Sequence, residues 1–344
     1  MKLRIAMIGA GGVAARHVRV LSGLGDAVVV AVADPVAEAA GRLASACGAT
    51  AYADAEQALD AARPDAVYVC VPPFAHGDPE RAAVARGLPL FVEKPLSVDL
   101  STAEDLAAEI DKAGLPTGTG YHWRCLDTVE RARDIVAGSP VRLLQGQWLD
   151  KVPPPGWWVA LELSGGQVVE QLTHVLDLAR LLAGEVEAVT ATGSRVDSSP
   201  GDVDDVTAGT LRFRSGAVGT LAASSLLAAK TAAEMRVVCA DGTVLTLSET
   251  RLTVGDETVA PEVDGHEAVD REFLDVVLGR RESTRVPYRE ALETHRVGTA
   301  LARSAATGAA VALSEPESPQ GERGATRAGR SERARTALSE ERAR

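Results

Sequence analysis

No CxxC pair occurs among the four cysteines, Cys47, Cys70, Cys125 and Cys239. Spacing this wide gives no thiolate zinc site and no disulfide framework, and it fits reduced thiols in a cytoplasm. No stretch reaches the roughly twenty uninterrupted apolar residues that a membrane helix needs. The apolar run after Lys2 is shorter than a signal-peptide core and feeds a glycine turn, so export is not expected. Positive charge is lacking too: the formal net charge is −12. A dispersed acidic excess excludes nucleic acid and anionic membranes as partners, which select clustered cations, and leaves small, neutral or polyhydroxylated ligands. Lysine is scarcest of the charged residues, 5 against 31 arginines.

What is present is a chain of 344 residues, long enough for two domains with a core each. Between residues 3 and 121, short β-rich runs ("LRIAMI", "AVVVAVAD", "DAVYVCVP", "LPLFVE", "PTGTGY") alternate with Ala-rich helical stretches. Near-continuous apolar strands separated by helices predict a doubly wound α/β domain over 1–121, its parallel sheet covered on both faces. After Tyr121 the rhythm changes to a helix near 126–138, a strand near 141–149, a Pro-rich loop and a helix near 167–183. A succession of strands joined by "RSGA" and "ADGT" then reads as an antiparallel meander, closed by helices near 265–279 and 288–307. This predicts an α+β domain over 122–313. From Ser314 the chain has almost no large apolar residues and cannot offset its ordering entropy, so 314–344 is expected to be a disordered tail. Its seven Arg against six Glu argue against a phosphate-binding arm.

"AMIGAGGVA" sets Gly9, Gly11 and Ala14 in a GxGxxA pattern between the first strand and the first helix, with Gly12 and Val13 completing the turn. The first glycine permits a tight turn, the second lets backbone approach a pyrophosphate, and Ala14 keeps helix and sheet close. Asp34 ends the second strand, where a carboxylate accepts hydrogen bonds from ribose hydroxyls and repels a ribose phosphate. NAD is therefore preferred over NADP. A helix N-cap in "DPVAEA" is a compatible second role for Asp34. Pro72, Pro73 and His76 follow "DAVYVCV" at the carboxyl edge of the sheet and are expected beside the nicotinamide, with a plain helix-start role as the equal alternative for His76.

"LFVEKPLS" ends a strand in a charged triplet, delivering Glu93 and Lys94 to that same ligand-facing edge. Where lysine is this rare, its choice over arginine suggests a compact ammonium suited to polarising a substrate oxygen, with Glu93 orienting it. In "GGQVVEQLTHVLDLAR", Glu170, His174 and Asp177 sit at i, i+4 and i+7 and share one face of a continuous helix. His174 is the natural general base, and Asp177 joins the substrate set. A buried anchoring triplet is the plainer reading. No further His or Cys pairing supports a metal site, so none is expected.

This ordered set, "IGAGGVA", "VADP", "DAVYVCVPPFAH", "LFVEKP" and "GGQVVEQLTHVLDLAR", resembles the Gfo/Idh/MocA oxidoreductases over about residues 3–312. The resemblance implies a Rossmann domain followed by a domain with an open-faced, mainly antiparallel sheet used for oligomer contacts. It also implies hydride transfer between NAD(P) and a secondary hydroxyl of a sugar, cyclitol or related polyol. By position, Lys94 is similar to the family's catalytic lysine and His174 to its proton-transferring histidine. Glu170 stands where the family commonly has aspartate, and Asp177 and Arg180 resemble the helix-packing continuation of the motif. Trp157 in "PPPGWW" and Arg124 in "GYHWR" offer an aromatic face and a donor to a polyhydroxylated ring, whereas Trp148 reads as core. A homodimer or homotetramer is expected. An NAD-dependent glycoside hydrolase of the same fold and a dinucleotide-sensing regulatory protein are the alternatives.

Overall fold

The computed structural model describes residues 2–314. The tail expected beyond Ser314 lies outside the described residues. The chain opens with β1 (Leu3–Ile8), α1 (Gly12–Leu24), β2 (Ala27–Ala33), α2 (Ala37–Cys47), β3 (Thr50–Tyr52) and α3 (Ala55–Ala62). It continues through β4 (Ala66–Val69), α4 (Asp78–Val84), β5 (Leu90–Val92), α5 (Leu100–Ala113) and β6 (Thr117–Thr119). The six strands form one parallel sheet in the order β3-β2-β1-β4-β5-β6. Every residue of β4 and β5 is buried, as expected of apolar strands covered on both faces. The strand order reverses between β1 and β4, so the crevice at their carboxyl ends is where a ligand binds in such a sheet. Strand β3 carries only a three-residue exposed or half-buried pattern and has no counterpart among the predicted strands.

The second half comprises α6 (Asp127–Gly138), β7 (Val141–Leu149), α7 (Leu161–Ser164), α8 (Gln167–Glu170), α9 (Thr173–Ala183), β8 (Val186–Ser194), β9 (Val206–Phe213) and β10 (Val218–Ser224). Then follow β11 (Ala232–Cys239), β12 (Val244–Ser248), β13 (Arg251–Val254), β14 (Glu257–Val259), α10 (Gly265–Val277), α11 (Tyr288–Thr307) and β15 (Val311–Ala312). Nine strands pair in the order β14-β13-β12-β11-β7-β10-β9-β8-β15. The expected meander is interrupted: β7 inserts between β11 and β10 and runs parallel to β10, while the other pairings are antiparallel. Turn chemistry predicts hairpins between sequence neighbours, but β10 and β11 are joined by a longer loop, and the edges they leave are filled by the earlier strand.

One face of this sheet buries Leu144, Leu221, Met235 and Leu245 against Val175, Leu176 and Leu178 of α9. The last two helices return to the first sheet. Phe273 of α10 packs edge-on to Tyr68 and Phe91, with ring centroids 5.5 and 5.7 Å away. Tyr288 and Leu292 of α11 share a core with Leu90, Val92 and Tyr121.

The helix expected over 167–183 is broken. Leu172 N–H reaches back five residues to the Gln167 carbonyl at 3.0 Å, opening one wide turn between α8 and α9. Glu170 therefore does not continue the helical face of His174 and Asp177.

Candidate active site

A cleft of about 850 Å³ runs from the glycine loop across the carboxyl ends of β4 and β5 to α8 and α9. Gly9, Gly11, Gly12, Val13, Asp34, Pro72, Pro73, Glu93, Lys94, Trp157, Glu170 and His174 all line it. Gly9 has φ +95°, and a Cβ there would lie 2.2 Å from the Cys70 carbonyl oxygen, so β1 and the start of the loop after β4 touch through a residue that must be glycine. Ala14 does not line the cleft; it is buried in the core between α1 and the sheet, as its spacing role requires. The Asp34 carboxylate accepts from Ala10 N–H at 2.8 Å and from Val36 N–H at 2.8 Å. It thereby fastens the glycine loop to the end of β2. It does not cap α2, whose N-cap is Val36.

These residues fit a dinucleotide. Nothing lies within 4 Å of where a side chain at Gly11 or Gly12 would go. The first turn of α1 has no side-chain cap and no acidic residue, leaving its amide donors and positive pole open to a pyrophosphate.

At the other end, Lys94 Nζ donates to the Glu170 carbonyl oxygen at 2.8 Å and approaches Glu170 Oε1 at 3.2 Å. The helix break makes this possible, because in an unbroken helix that carbonyl would accept from the amide of His174. Glu170 Oε2 accepts from Trp158 Nε1 at 3.1 Å, so the carboxylate is held from both sides. The expectation that Glu93 orients the lysine ammonium is corrected. Its carboxylate accepts from the Lys94 backbone N–H at 3.1 Å and faces His17 Nε2 at 2.8 Å instead. Gly120 makes room for it: a Cβ there would lie 2.2 Å from Glu93 Oε2.

His174 is buried against two tryptophans that also touch each other, their ring centroids 6.0 Å apart. Its ring stacks on Trp123 at 5.5 Å and on Trp148 at 5.9 Å, with interplanar angles of 16° and 22°. Burial, then the positive charge of Lys94, push its pKa well below 6.5. The ring is thus neutral near pH 7. Its Nδ1 is sealed without a partner, which leaves Nε2 as the nitrogen available to the cleft. Trp148, expected as core, is buried and also packs beside this ring, with Lys230 Nζ 4.2 Å from its ring centroid. Trp157 stands at the rim, half-buried and edge-on to Phe74 at 6.4 Å.

Three expected site residues are engaged elsewhere. Arg124 and Asp177 do not reach the cleft but form a buried fork, with Nε to Oδ2 at 2.7 Å and Nη2 to Oδ1 at 2.8 Å. Thr294 Oγ1 and Glu290 extend this network to Arg180, joining the segment after β6 to α9 and α11. A guanidinium with a carboxylate at bidentate distance is already satisfied and has little left to offer a substrate. His76 is buried, and its Nδ1 meets Glu80 Oε1 at 2.5 Å at the start of α4. Conversely, Arg16 and His122 line the cleft without having been expected there. Both are one helical turn or less from recognised motifs, but nothing in their spacing marks them.

An open glycine loop with an acid at the end of β2 and, across the same cleft, a lysine and a neutral histidine define a dinucleotide-dependent enzyme of the two-sheet type. Residues 3–121 match an oxidoreductase family with an NAD-binding Rossmann fold, and residues 136–245 match the GFO/IDH/MocA C-terminal domain. The chain belongs to the Gfo/Idh/MocA family. It is 30% identical over 227 residues to myo-inositol 2-dehydrogenase of Thermotoga maritima, covering 64% of this chain and 67% of that protein. It is 31% identical over 211 residues to inositol 2-dehydrogenase of Rhizobium meliloti, covering 60% of this chain and 63% of that one. The chain thus spans about two thirds of the length of these curated relatives. Levoglucosan dehydrogenase in complex with NADH shares the fold, with a TM-score of 0.82 at 19% identity over 91% of this chain and 100% of that one.

Proposed function

We propose that this protein is an NAD-dependent dehydrogenase acting on a secondary hydroxyl of a cyclitol, sugar or related polyol. The observation that carries the reading is the convergence of Lys94 and His174 on the cleft that also holds the open glycine loop. The relatives named for inositol and levoglucosan support the substrate class. Gly9 to Val13 and Asp34 would hold the dinucleotide, and Glu93 with Pro72 and Pro73 would border the nicotinamide. When bound, the nicotinamide supplies the hydride acceptor.

The chain's own side chains then manage the proton and the charge. Lys94, steered by Glu170, donates a hydrogen bond to the reacting oxygen and stabilises negative charge developing there. His174, neutral because it is buried beside Lys94, accepts the hydroxyl proton at Nε2. Trp157 offers an apolar face at the rim. Asp34 favours the free ribose of NAD over the phosphorylated ribose of NADP.

A cytoplasmic location follows from the reduced-thiol pattern; among the described residues no helix is long and apolar enough to cross a membrane. Self-association through the second sheet has specific support. Leu143, Val206, Val218 and Val244 are exposed, and the strand register places all four on one face. The deciding experiment is a cofactor-reduction screen with NAD and NADP against cyclitols, sugars and sugar acids. A substrate whose turnover falls by roughly 10²–10⁴-fold in both Lys94→Ala and His174→Ala supports the reading. Unchanged turnover in both overturns it. Sugar release with no net cofactor reduction would point to the glycosidase alternative.

A further inference from the structure

Beside His174, three side chains from distant segments meet: His122 just after β6, Glu249 in the turn between β12 and β13, and His266 in the first turn of α10. His122 Nε2 is 3.0 Å from Glu249 Oε1, and His266 Nε2 is 3.7 Å from the same oxygen. One ligand atom from each lies within 4.8 Å of the others. We propose that these three residues form a divalent cation site of the zinc class, open to the substrate end of the cleft.

A hydrogen-bond reading leaves the cluster incomplete. It accounts for the contact at 3.0 Å, but 3.7 Å is beyond a hydrogen bond, so the His266 nitrogen faces the shared carboxylate without bonding it. The two imidazole rings are stacked, with centroids 3.8 Å apart, and two cationic rings at that separation would repel. A single cation between two neutral imidazoles and a carboxylate satisfies all three groups at once. Around a tetrahedral ion with bonds of about 2.0–2.1 Å, neighbouring ligand atoms lie about 3.3 Å apart. The observed 3.0 and 3.7 Å bracket that value. Seating the ion requires the stacked rings to splay. His266 can do this, because its side chain is 27% exposed and its one ion-pair partner among the described residues is Glu249.

Two His and one carboxylate leave a fourth position open, the arrangement of zinc sites that bind substrate or water rather than only brace a fold. His122 lines the cleft, and its ring lies 5.1 Å from that of His174. The open position would therefore take an oxygen of the substrate next to the reacting hydroxyl, a role that rests on the dehydrogenase reading. Two neighbouring cations, Lys230 near Glu249 and Arg16 near His266, oppose the ion and lower the expected affinity.

The test titrates the chelator-treated full chain with Co²⁺, read by its visible ligand-field bands, and with Zn²⁺ by calorimetry. Neither nicotinamide nor substrate is present, so failure here leaves the dehydrogenase reading standing, and failure of the screen above leaves this site standing. One ion per chain is expected, with a tetrahedral Co²⁺ spectrum. Glu249→Gln and His266→Ala should each weaken binding by more than the roughly 10–100-fold that loss of a merely supporting residue causes. Absence of the bands, or an affinity unchanged in both variants, overturns the site. Circular dichroism monitors folding, and His266→Gln, at a partly exposed position, replaces any variant that does not fold.

Discussion

Lys94 and Glu170 meet through two contacts of different kind, an ammonium to backbone carbonyl bond at 2.8 Å and an ammonium to carboxylate contact at 3.2 Å. The first depends on the break between α8 and α9 and survives any side-chain change at Glu170. The second depends on the carboxylate, which Trp158 holds in place. Glu170→Ala should therefore leave Lys94 tethered but free to swing, and misplacement of a reacting group by about 1 Å costs on the order of 10²-fold. A fall of roughly 10–100-fold in kcat/KM is expected, with Glu170→Asp retaining the charge and staying within about tenfold of the parent. Steady-state kinetics on an identified substrate decide it; a Glu170→Ala enzyme with parental kinetics removes the steering role.

His174 carries its own signature in pH. Burial disfavours its charged form, and the positive charges of Lys94 and Lys230 add to the effect, so the ring stays neutral to well below pH 6.5. For a base that must be unprotonated, activity then persists as pH falls through 6.5 and is lost only further down. The acid limb of kcat/KM should accordingly lie below the ordinary imidazole value. A limb at or above 6.5 would mean that the titrating base is a different group.

Asp34 sets cofactor choice by charge. Its two oxygens are each engaged by one backbone N–H, which keeps the carboxylate at the end of β2 beside the glycine loop. Asp34→Ala should reduce the ratio of kcat/KM for NAD over NADP by about tenfold or more, equivalent to ~1.4 kcal/mol. Activity with NAD should drop as well, because the Ala10 amide loses its acceptor. A ratio that does not move would show that the phosphate is excluded by shape and not by this carboxylate.

The Arg124 and Asp177 fork predicts a stability effect without a substrate effect. Removing Asp177 strips both carboxylate contacts of the fork from a buried guanidinium and leaves it with Glu290 alone, at a cost of up to about 3–5 kcal/mol. For Asp177→Ala this corresponds to a drop in Tm on the order of 10 °C. The KM for substrate, measured below the transition, should remain at the parental value. A KM that rises several-fold with Tm unchanged would return Arg124 to the substrate site.

Periodicity and strand-end position carried the first half of the molecule well. Apolar runs located five of the six parallel strands, and ends of strands placed Gly9, Asp34 and Lys94 on one edge because every strand in a parallel sheet points the same way. What spacing could not reveal was where a helix stops. Glu170, His174 and Asp177 fit one helical face by count, yet the wide turn at Gln171 and Leu172 sends Glu170 to Lys94 and Asp177 to Arg124. No glycine or proline marks that turn. His122, Glu249 and His266 were invisible for a related reason: residues 127 and 144 positions from the first of them become neighbours only when the second sheet and α10 close on the cleft. Pairing by short spacing detects ligands on one element, not on three.

Behind Lys94 lies a buried relay whose charge state sets the last prediction. His17 Nδ1 meets both oxygens of Asp270 at 2.7 and 2.9 Å, and its Nε2 meets Glu93 Oε1 at 2.8 Å, tying α1 to α10 and to the residue beside the lysine. Burial alone would lower the His17 pKa, but Asp270 and Glu93 together outweigh it and hold it at about 9. Burial likewise raises Glu93, and the charged His17 more than reverses this, to about 2. Since the folded value lies above the unfolded value of 6.5, the stabilisation is fully present below 6.5 and is lost as pH rises through about 9. His17→Gln should cost about 3–5 kcal/mol below pH 6.5, as expected for one member of a buried charged set. The gap in Tm between parent and variant should then narrow as pH rises past 9. Thermal melts across that range check the sign, and a gap that stays constant or widens would show that His17 is held neutral and acts only by packing.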